Sequence, residues 1–277
     1  MGDEVYQYGR ITRPLNCAMA GLAVLIGAKI ATENFLTLPV LFAVIATFLI
    51  CGAGNTINDY YDHEIDKINS PGRPIPAGEI SLMHAYYYAL ALFSTGIILS
   101  VFINKLAILV AVFNSAMLFL YAGRLKNEGF VGNLTVSYLV ASPFLFGGVA
   151  VESISVTLIL VLCAGLANVG REIIKDIEDY EGDKAYAKTL PTKIGFKSSG
   201  EAASFFITLA VLASPLPYLL NLLSLGYLVT IAVADIIFLY VMAVFLKDIT
   251  VKSAGKTQRL IKIGMGIALL AFFLGSF

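Results

Sequence analysis

Residues 55–78 read NTINDYYDHEIDKINSPGRPIPAG, and within them Asp59, Asp62 and Asp66 stand at i, i+3 and i+7. At about 100° of helical rotation per residue these fall near 0°, 300° and 340°, inside roughly 60° of arc, so a helix here carries all three on one face. Asn55, one turn earlier, shares that face. Like charges one turn apart on a helix repel by about 0.2–0.5 kcal/mol per pair even in water. Something else has to favour the arrangement, and a bound divalent cation is the simplest candidate.

The pattern returns in REIIKDIEDYEGDKAYAKTLPTKIG, residues 171–195, where Asp176, Asp179 and Asp183 keep the same spacing. From Asp59 to Asp176 the offset is 117, and it also carries Asn16 onto Asn133, Lys67 onto Lys184, Pro74 onto Pro191, Gly78 onto Gly195 and Ser81 onto Ser198. Asn55 is answered by Glu172. Two solvated charged loops are the plain alternative, but a shared offset argues for an internal duplication in which each half delivers one acidic helix end.

Of 277 residues, 58% are hydrophobic and only 14% charged. A soluble domain of this size does not need so much apolar surface. The apolar residues fall into runs of about 17–24, the length that crosses a hydrocarbon core about 30 Å thick. The chain therefore reads as an all-α polytopic membrane protein with nine spans, at about 14–32, 38–57, 82–102, 106–122, 131–150, 154–174, 202–220, 222–246 and 259–276. The repeat halves lie at about 10–122 and 127–246 within one transmembrane domain, and the ninth span, about 259–276, falls outside them. Four spans per half is an even number, so the halves are expected to run parallel and their acidic ends to meet on one side. Cys17, Cys51 and Cys163 lie inside apolar runs without C-x-x-C spacing and read as small buried hydrophobes. The opening MGDEVYQYGRITRP is polar and lacks the basic start and short apolar core of a cleavable signal, so the first span is expected to be retained.

Formal net charge is zero, so bulk charge points to no nucleic-acid partner; the distribution of charge says more. With nine crossings, 17 of the 19 Lys and Arg residues fall on one side, leaving Lys29 and Lys105 for the other. Positive residues in short loops stay cytoplasmic. The N-terminus and both acidic motifs are thus expected to face the cytoplasm. The loops expected to carry the aspartates, about 59–81 and 175–201, are the longest connections, and long polar loops in compact domains are often functional.

Six carboxylates without a nearby His or Cys cluster make a hard-oxygen environment suited to Mg²⁺. Magnesium uses one or two carboxylates and completes its shell with water and phosphate oxygens, so a diphosphate is its natural companion here. Arg73, Lys126 and Lys188, interleaved with the motifs, are candidates for the remaining phosphate charge, as is Asn55; ordinary positive-inside anchoring is the other reading of the three basic residues. Membrane spans behind such a head site would accept a long apolar tail.

The motif N-D-x-x-D-x-x-x-D, here Asn58, Asp59, Asp62 and Asp66, and D-x-x-D-x-x-x-D, here Asp176, Asp179 and Asp183, in a nine-span chain resemble the UbiA superfamily of intramembrane prenyltransferases. The resemblance implies Mg²⁺-dependent transfer of a prenyl group from an allylic polyprenyl diphosphate to a lipophilic acceptor, in the cell membrane. Cations would stabilise the departing diphosphate while an allylic carbocation forms, shielded from water. Asn16, Tyr121 and Asn133 are the candidates to line that cavity and orient the acceptor; interhelical hydrogen bonding is the other reading of the two asparagines. The stretches GRPIPAGEIS and REIIKDIEDYEGDK look most like archaeal members that place a geranylgeranyl group on the hydroxyl of geranylgeranylglyceryl phosphate, forming the second ether bond of archaeal membrane lipids. An aromatic acceptor such as 4-hydroxybenzoate is the alternative that the same scaffold carries. Glu172 stands where some relatives have aspartate, which leaves its part as a metal ligand open.

Two other classes make distinguishable demands. A cation-coupled transporter needs acids at mid-membrane, and Asp235 in span 8 is the one that sits so deep. A CDP-alcohol phosphotransferase needs D-G-x-x-A-R, which is absent. His63 and His84 stand alone and read as surface or packing residues. Prenyl chain length and oligomeric state have no signature in the sequence.

Overall fold

Hydrocarbon offers no water to satisfy backbone N–H and C=O groups, and the chain answers with helix throughout. The computed structural model describes residues 2–184 and 187–276, apart from the side chains of residues 2–4, Asn69 and Asp183. Among the described residues there is no strand. The helices are α1 (Gly2–Ile11), α2 (Pro14–Ala31), α3 (Leu38–Asn69), α4 (Leu82–Ser100), α5 (Lys105–Gly123), α6 (Phe130–Ala150), α7 (Thr157–Glu178), α8 (Tyr180–Asp183), α9 (Leu190–Ala213), α10 (Leu216–Leu219), α11 (Leu225–Phe245) and α12 (Val251–Gly275). Among the described residues nine helical segments are long and apolar enough to cross a membrane. The protein is an all-α polytopic membrane protein.

Three boundaries differ from expectation. Helix α3 does not stop near residue 57 but runs 32 residues to Asn69, roughly 48 Å at 1.5 Å per residue. The segment expected as loop from 59 is therefore helical for its first eleven residues, because no Pro or Gly interrupts the chain between Asn55 and Asn69. Helix α9 enters already at Leu190, breaks at Gly195 (φ 79°, ψ 170°) and continues to Ala213. Helix α12 starts at Val251, where Thr250 and Ser253 cap each other's backbone N–H groups.

The chain divides into two compact units. In the first, made of residues up to Gly123 together with Phe146–Ser153, α3 packs against α1, α2, α4 and α5. In the second, Arg124–Leu145 with Ile154 onward, α7 packs against α9 and α12, and α11 against α9 and α12.

Inside the first unit Gly147 lets α6 meet α2 backbone to backbone: a Cβ there would strike the Val24 carbonyl oxygen and come within 2.7 Å of the Ala28 nitrogen. At Gly165 on α7 a Cβ would have nothing within 4 Å. Gly147→Ala should lower thermal stability in detergent by about 1–3 kcal/mol through overpacking. Gly165→Ala should raise it by up to about 1 kcal/mol through helix propensity alone. Melting curves of the two variants, with opposite signs expected, check the close approach.

Candidate active site

Because α3 continues through the first motif, its three acids do share one face. Asp59 and Asp66 are 2% and 4% exposed, while Asp62 is half-buried and accepts a hydrogen bond from Asn58 Nδ2 at 2.9 Å. A buried carboxylate is costly unless a positive group or several donors match it. Two guanidinium groups do so. Arg73 Nη1 lies 2.5 Å from Asp66 Oδ2 and 3.3 Å from Asp59 Oδ1, and Arg13 Nη2 donates to Asp59 Oδ1.

Local structure delivers each arginine. After α3 the turn through Ser70–Pro71–Gly72, closed by Arg73 N–H donating to the Ser70 carbonyl at 2.9 Å, folds Arg73 back over the helix it follows. Gly78, at φ 73°, then turns the chain toward α4. Arg13 sits at the elbow between α1 and α2 in the left-handed region, φ 52° and ψ 67°, a conformation that costs a non-glycine residue about 1–2 kcal/mol. The motif helix itself braces that elbow: Asn55 Nδ2 donates to the Thr12 carbonyl at 2.8 Å. Arg10 donates to the Gly72 carbonyl at 2.6 Å and pairs with Glu79 at 2.8 Å, tying α1 to the turn that carries Arg73. Ile11 packs in a small core with Ile80 and Ala85, and the Tyr8 ring meets Tyr88 edge-on at 4.9 Å.

Sequence reasoning missed α1 and gave Arg10 and Arg13 no part beyond sidedness. The available signal was modest: Tyr8 and Ile11 at helical spacing, followed by an Arg-Pro step at the head of the first span.

The second motif is built differently. Helix α7 ends at Glu178, Asp179 takes the cap position (φ −85°, ψ 1°), and a single further turn, α8, carries Asp183. The three acids therefore do not share one continuous helical face, despite their identical spacing. Gly182, unfavourable within a helix by about 1 kcal/mol, lies inside that turn, and Tyr180 is held edge-on against Phe196 at 4.8 Å. Asp176 accepts from Asn133 Nδ2 at 3.0 Å. Asn133 is 6% exposed and Asn168 1%; Asn168 donates to Ser137 Oγ at 3.2 Å. Glu172, also buried, pairs with Arg171, whose Nε reaches Asn168 Oδ1 at 3.2 Å. Asp179 lies 3.8 Å from Lys175 Nζ. The side chain of Asp183 falls outside the described residues.

The remaining candidates are more scattered. Lys126 is half-buried in the turn Leu125–Asn127, and Lys188 is exposed; the Lys188 backbone N–H donates to the Asn127 carbonyl at 2.9 Å, which joins their two segments. Asn16 is exposed on α2, and Tyr121 is half-buried on α5. Asp235 accepts from Ser214 Oγ at 2.6 Å, an interhelical hydrogen bond within the second unit. His63 Nδ1 lies 2.8 Å from the Tyr60 carbonyl oxygen of its own helix.

Among the described residues no three His, Cys, Asp or Glu side chains are gathered closely enough to form a metal site. In the first unit the positive partners of the buried acids are guanidinium groups. The donor set still fits a hard divalent cation, because it is all oxygen, lies on one helix face, and includes two buried carboxylates already matched to positive charge.

Residues 19–272 match the UbiA prenyltransferase family. The digeranylgeranylglyceryl phosphate synthase of Methanococcus aeolicus is 42% identical over 279 residues, spanning 100% of this chain and 99% of that protein. A solved structure of a digeranylgeranylglyceryl phosphate synthase is 42% identical with a TM-score of 0.84, covering 99% of this chain and 98% of the other. A UbiA homologue from Archaeoglobus fulgidus, solved with DMAPP and Mg²⁺, shares the fold at 18% identity and a TM-score of 0.68, over 95% of this chain and 99% of that one.

The ion pairs make a stability prediction. Arg73→Gln removes the donor shared by two buried carboxylates and should lower stability by about 1–3 kcal/mol. Arg124→Gln breaks a more exposed pair, 4.0 Å from Glu128, and should change it by less than about 1 kcal/mol. Parallel thermal melts in one detergent decide whether the Arg73 contacts hold the folded state.

Proposed function

The chain belongs to the UbiA prenyltransferase family, and on that premise we propose that it transfers a geranylgeranyl group from geranylgeranyl diphosphate to the hydroxyl of geranylgeranylglyceryl phosphate. The observation that carries this reading is 42% identity along the whole chain to a relative of that activity's name. The bond that breaks joins the allylic carbon to the diphosphate oxygen; the bond that forms joins that carbon to the acceptor oxygen, whose proton is released. The product carries the second ether bond of an archaeal membrane lipid.

Asp59, Asp62 and Asp66, with Asp176, Asp179 and Asp183, are the proposed Mg²⁺ ligands. Bound Mg²⁺ would neutralise charge as it develops on the leaving diphosphate. Arg73, Lys126 and Lys188 bind the phosphate oxygens; a planar guanidinium suits such oxygens because its donors engage two at once, and Arg73 already spans two carboxylates. Asn55 contributes by holding the elbow that carries Arg13. Asn16, Tyr121 and Asn133 shield the carbocation and orient the acceptor, with Asn133 oriented in turn by Asp176. The bias of 17 of 19 basic residues to one side supports a cytoplasmic N-terminus and reaction site.

The test is incorporation of labelled geranylgeranyl diphosphate by purified protein offered geranylgeranylglyceryl phosphate beside 4-hydroxybenzoate. Metal-dependent label on the glyceryl phosphate is expected, abolished by chelation and restored by Mg²⁺. Asp59→Asn and Asp176→Asn should each lower kcat/KM by at least about a hundredfold. Label on the aromatic acid alone would move the protein to an aromatic acceptor, and folded protein that labels neither would sink the reading.

A further inference from the structure

Arg13 raises a chemical difficulty. A guanidinium and a divalent cation compete for the same carboxylate lone pairs, and Arg13 Nη2 donates to Asp59 Oδ1, which Arg73 also approaches at 3.3 Å. With Asp59 only 2% exposed, its charge cannot simply be left to solvent when metal is absent. A metal arriving alone would have to displace a guanidinium and leave it without a partner. A metal arriving with a multiply charged diphosphate brings the displaced guanidinium a new one.

The structure distinguishes the two arginines. Arg73 engages two acids from the turn that immediately follows them. Arg13 engages one; both side chains are one-third exposed, so the difference lies in the number of acids held and in the backbone of Arg13, which is braced where Asn55 and Cys17 Sγ hold the Thr12 carbonyl at 2.8 and 3.1 Å. Arg10 pins the preceding helix through Gly72 and Glu79. A fixed base with a partly solvated head is the build of a side chain that can change partners.

We propose that Arg13 is a displaceable counter-ion: it holds Asp59 in the substrate-free protein and passes its hydrogen bonds to the incoming diphosphate, so that divalent metal binds well only together with diphosphate. This rests on the reading of the first motif as a metal–diphosphate site. Arg13 thereby couples two ligands, since whatever each does to the Arg13–Asp59 pair the other must do reciprocally.

The test is a Mn²⁺ titration of the purified full-length protein, read by electron paramagnetic resonance, with metal alone and with added inorganic diphosphate; the Asp62→Asn variant gives the background of metal held by diphosphate in solution. Wild-type protein is expected to bind Mn²⁺ weakly alone and at least about tenfold more tightly with diphosphate. Removing a charge-assisted hydrogen bond from Asp59 makes Arg13→Gln bind metal alone about tenfold more tightly than wild type, with a smaller gain from diphosphate. A merely structural loss would weaken metal binding instead. Arg13→Lys, which keeps the charge but not the fork, falls between the two and carries the same test if the glutamine variant does not fold. Metal-alone affinity in these variants equal to or weaker than wild type overturns the proposal, as does undiminished coupling to diphosphate. If wild-type protein shows no diphosphate-dependent Mn²⁺ binding above the Asp62→Asn background, the metal–diphosphate reading itself has failed, and the proposal with it.

Discussion

A carboxylate that is almost wholly buried where an apolar helix runs on into a polar end must have its counter-charge supplied from elsewhere in the fold. In the first unit that requirement organises everything around α3. The turn after the helix brings Arg73 back; the elbow before α2 is set in a left-handed conformation and brings Arg13 in. Helix α1 is docked by an ion pair and a small apolar core so that the elbow stays in place. None of these pieces is stable by itself: α1 has ten residues, too few to persist alone in water.

The second unit meets the same need with a different set of groups. Asp176 is matched by the amide of Asn133, and the row of Asn133, Ser137 and Asn168 between α6 and α7 is a chain of neutral donors and acceptors. Its buried acid, Glu172, takes its arginine from the adjacent position in sequence.

Hydropathy located the nine segments that, among the described residues, are long and apolar enough to cross a membrane, because the length of an apolar run is fixed by the lipid it crosses. It did not locate where α3 ends, since hydropathy marks where hydrocarbon stops and helix formation depends on backbone and breakers; the polar residues 58–69 contain neither Pro nor Gly. The three-acid face in the first motif was legible from spacing. In the second, the same spacing spans a helix end, and spacing alone cannot distinguish a continuous helix from one that caps at Asp179. The pairing of Arg13 with Asp59, across 46 positions, lies beyond any periodicity. It is a tertiary contact, and only the fold brings the two residues together.

Helix α3 is one uninterrupted rod, and its apolar part, from Leu38 to Ile57, measures roughly 30 Å, about the thickness of a bilayer's hydrocarbon. The acids begin directly beyond it. The host membrane thus acts as a ruler for the chemistry: a thinner bilayer lifts Asp59 and Asp66 toward water, and a thicker one tilts the rod or draws the same carboxylates toward the lipid. The dielectric in which the charges of the first motif meet is then a property of the surrounding lipid as much as of the protein.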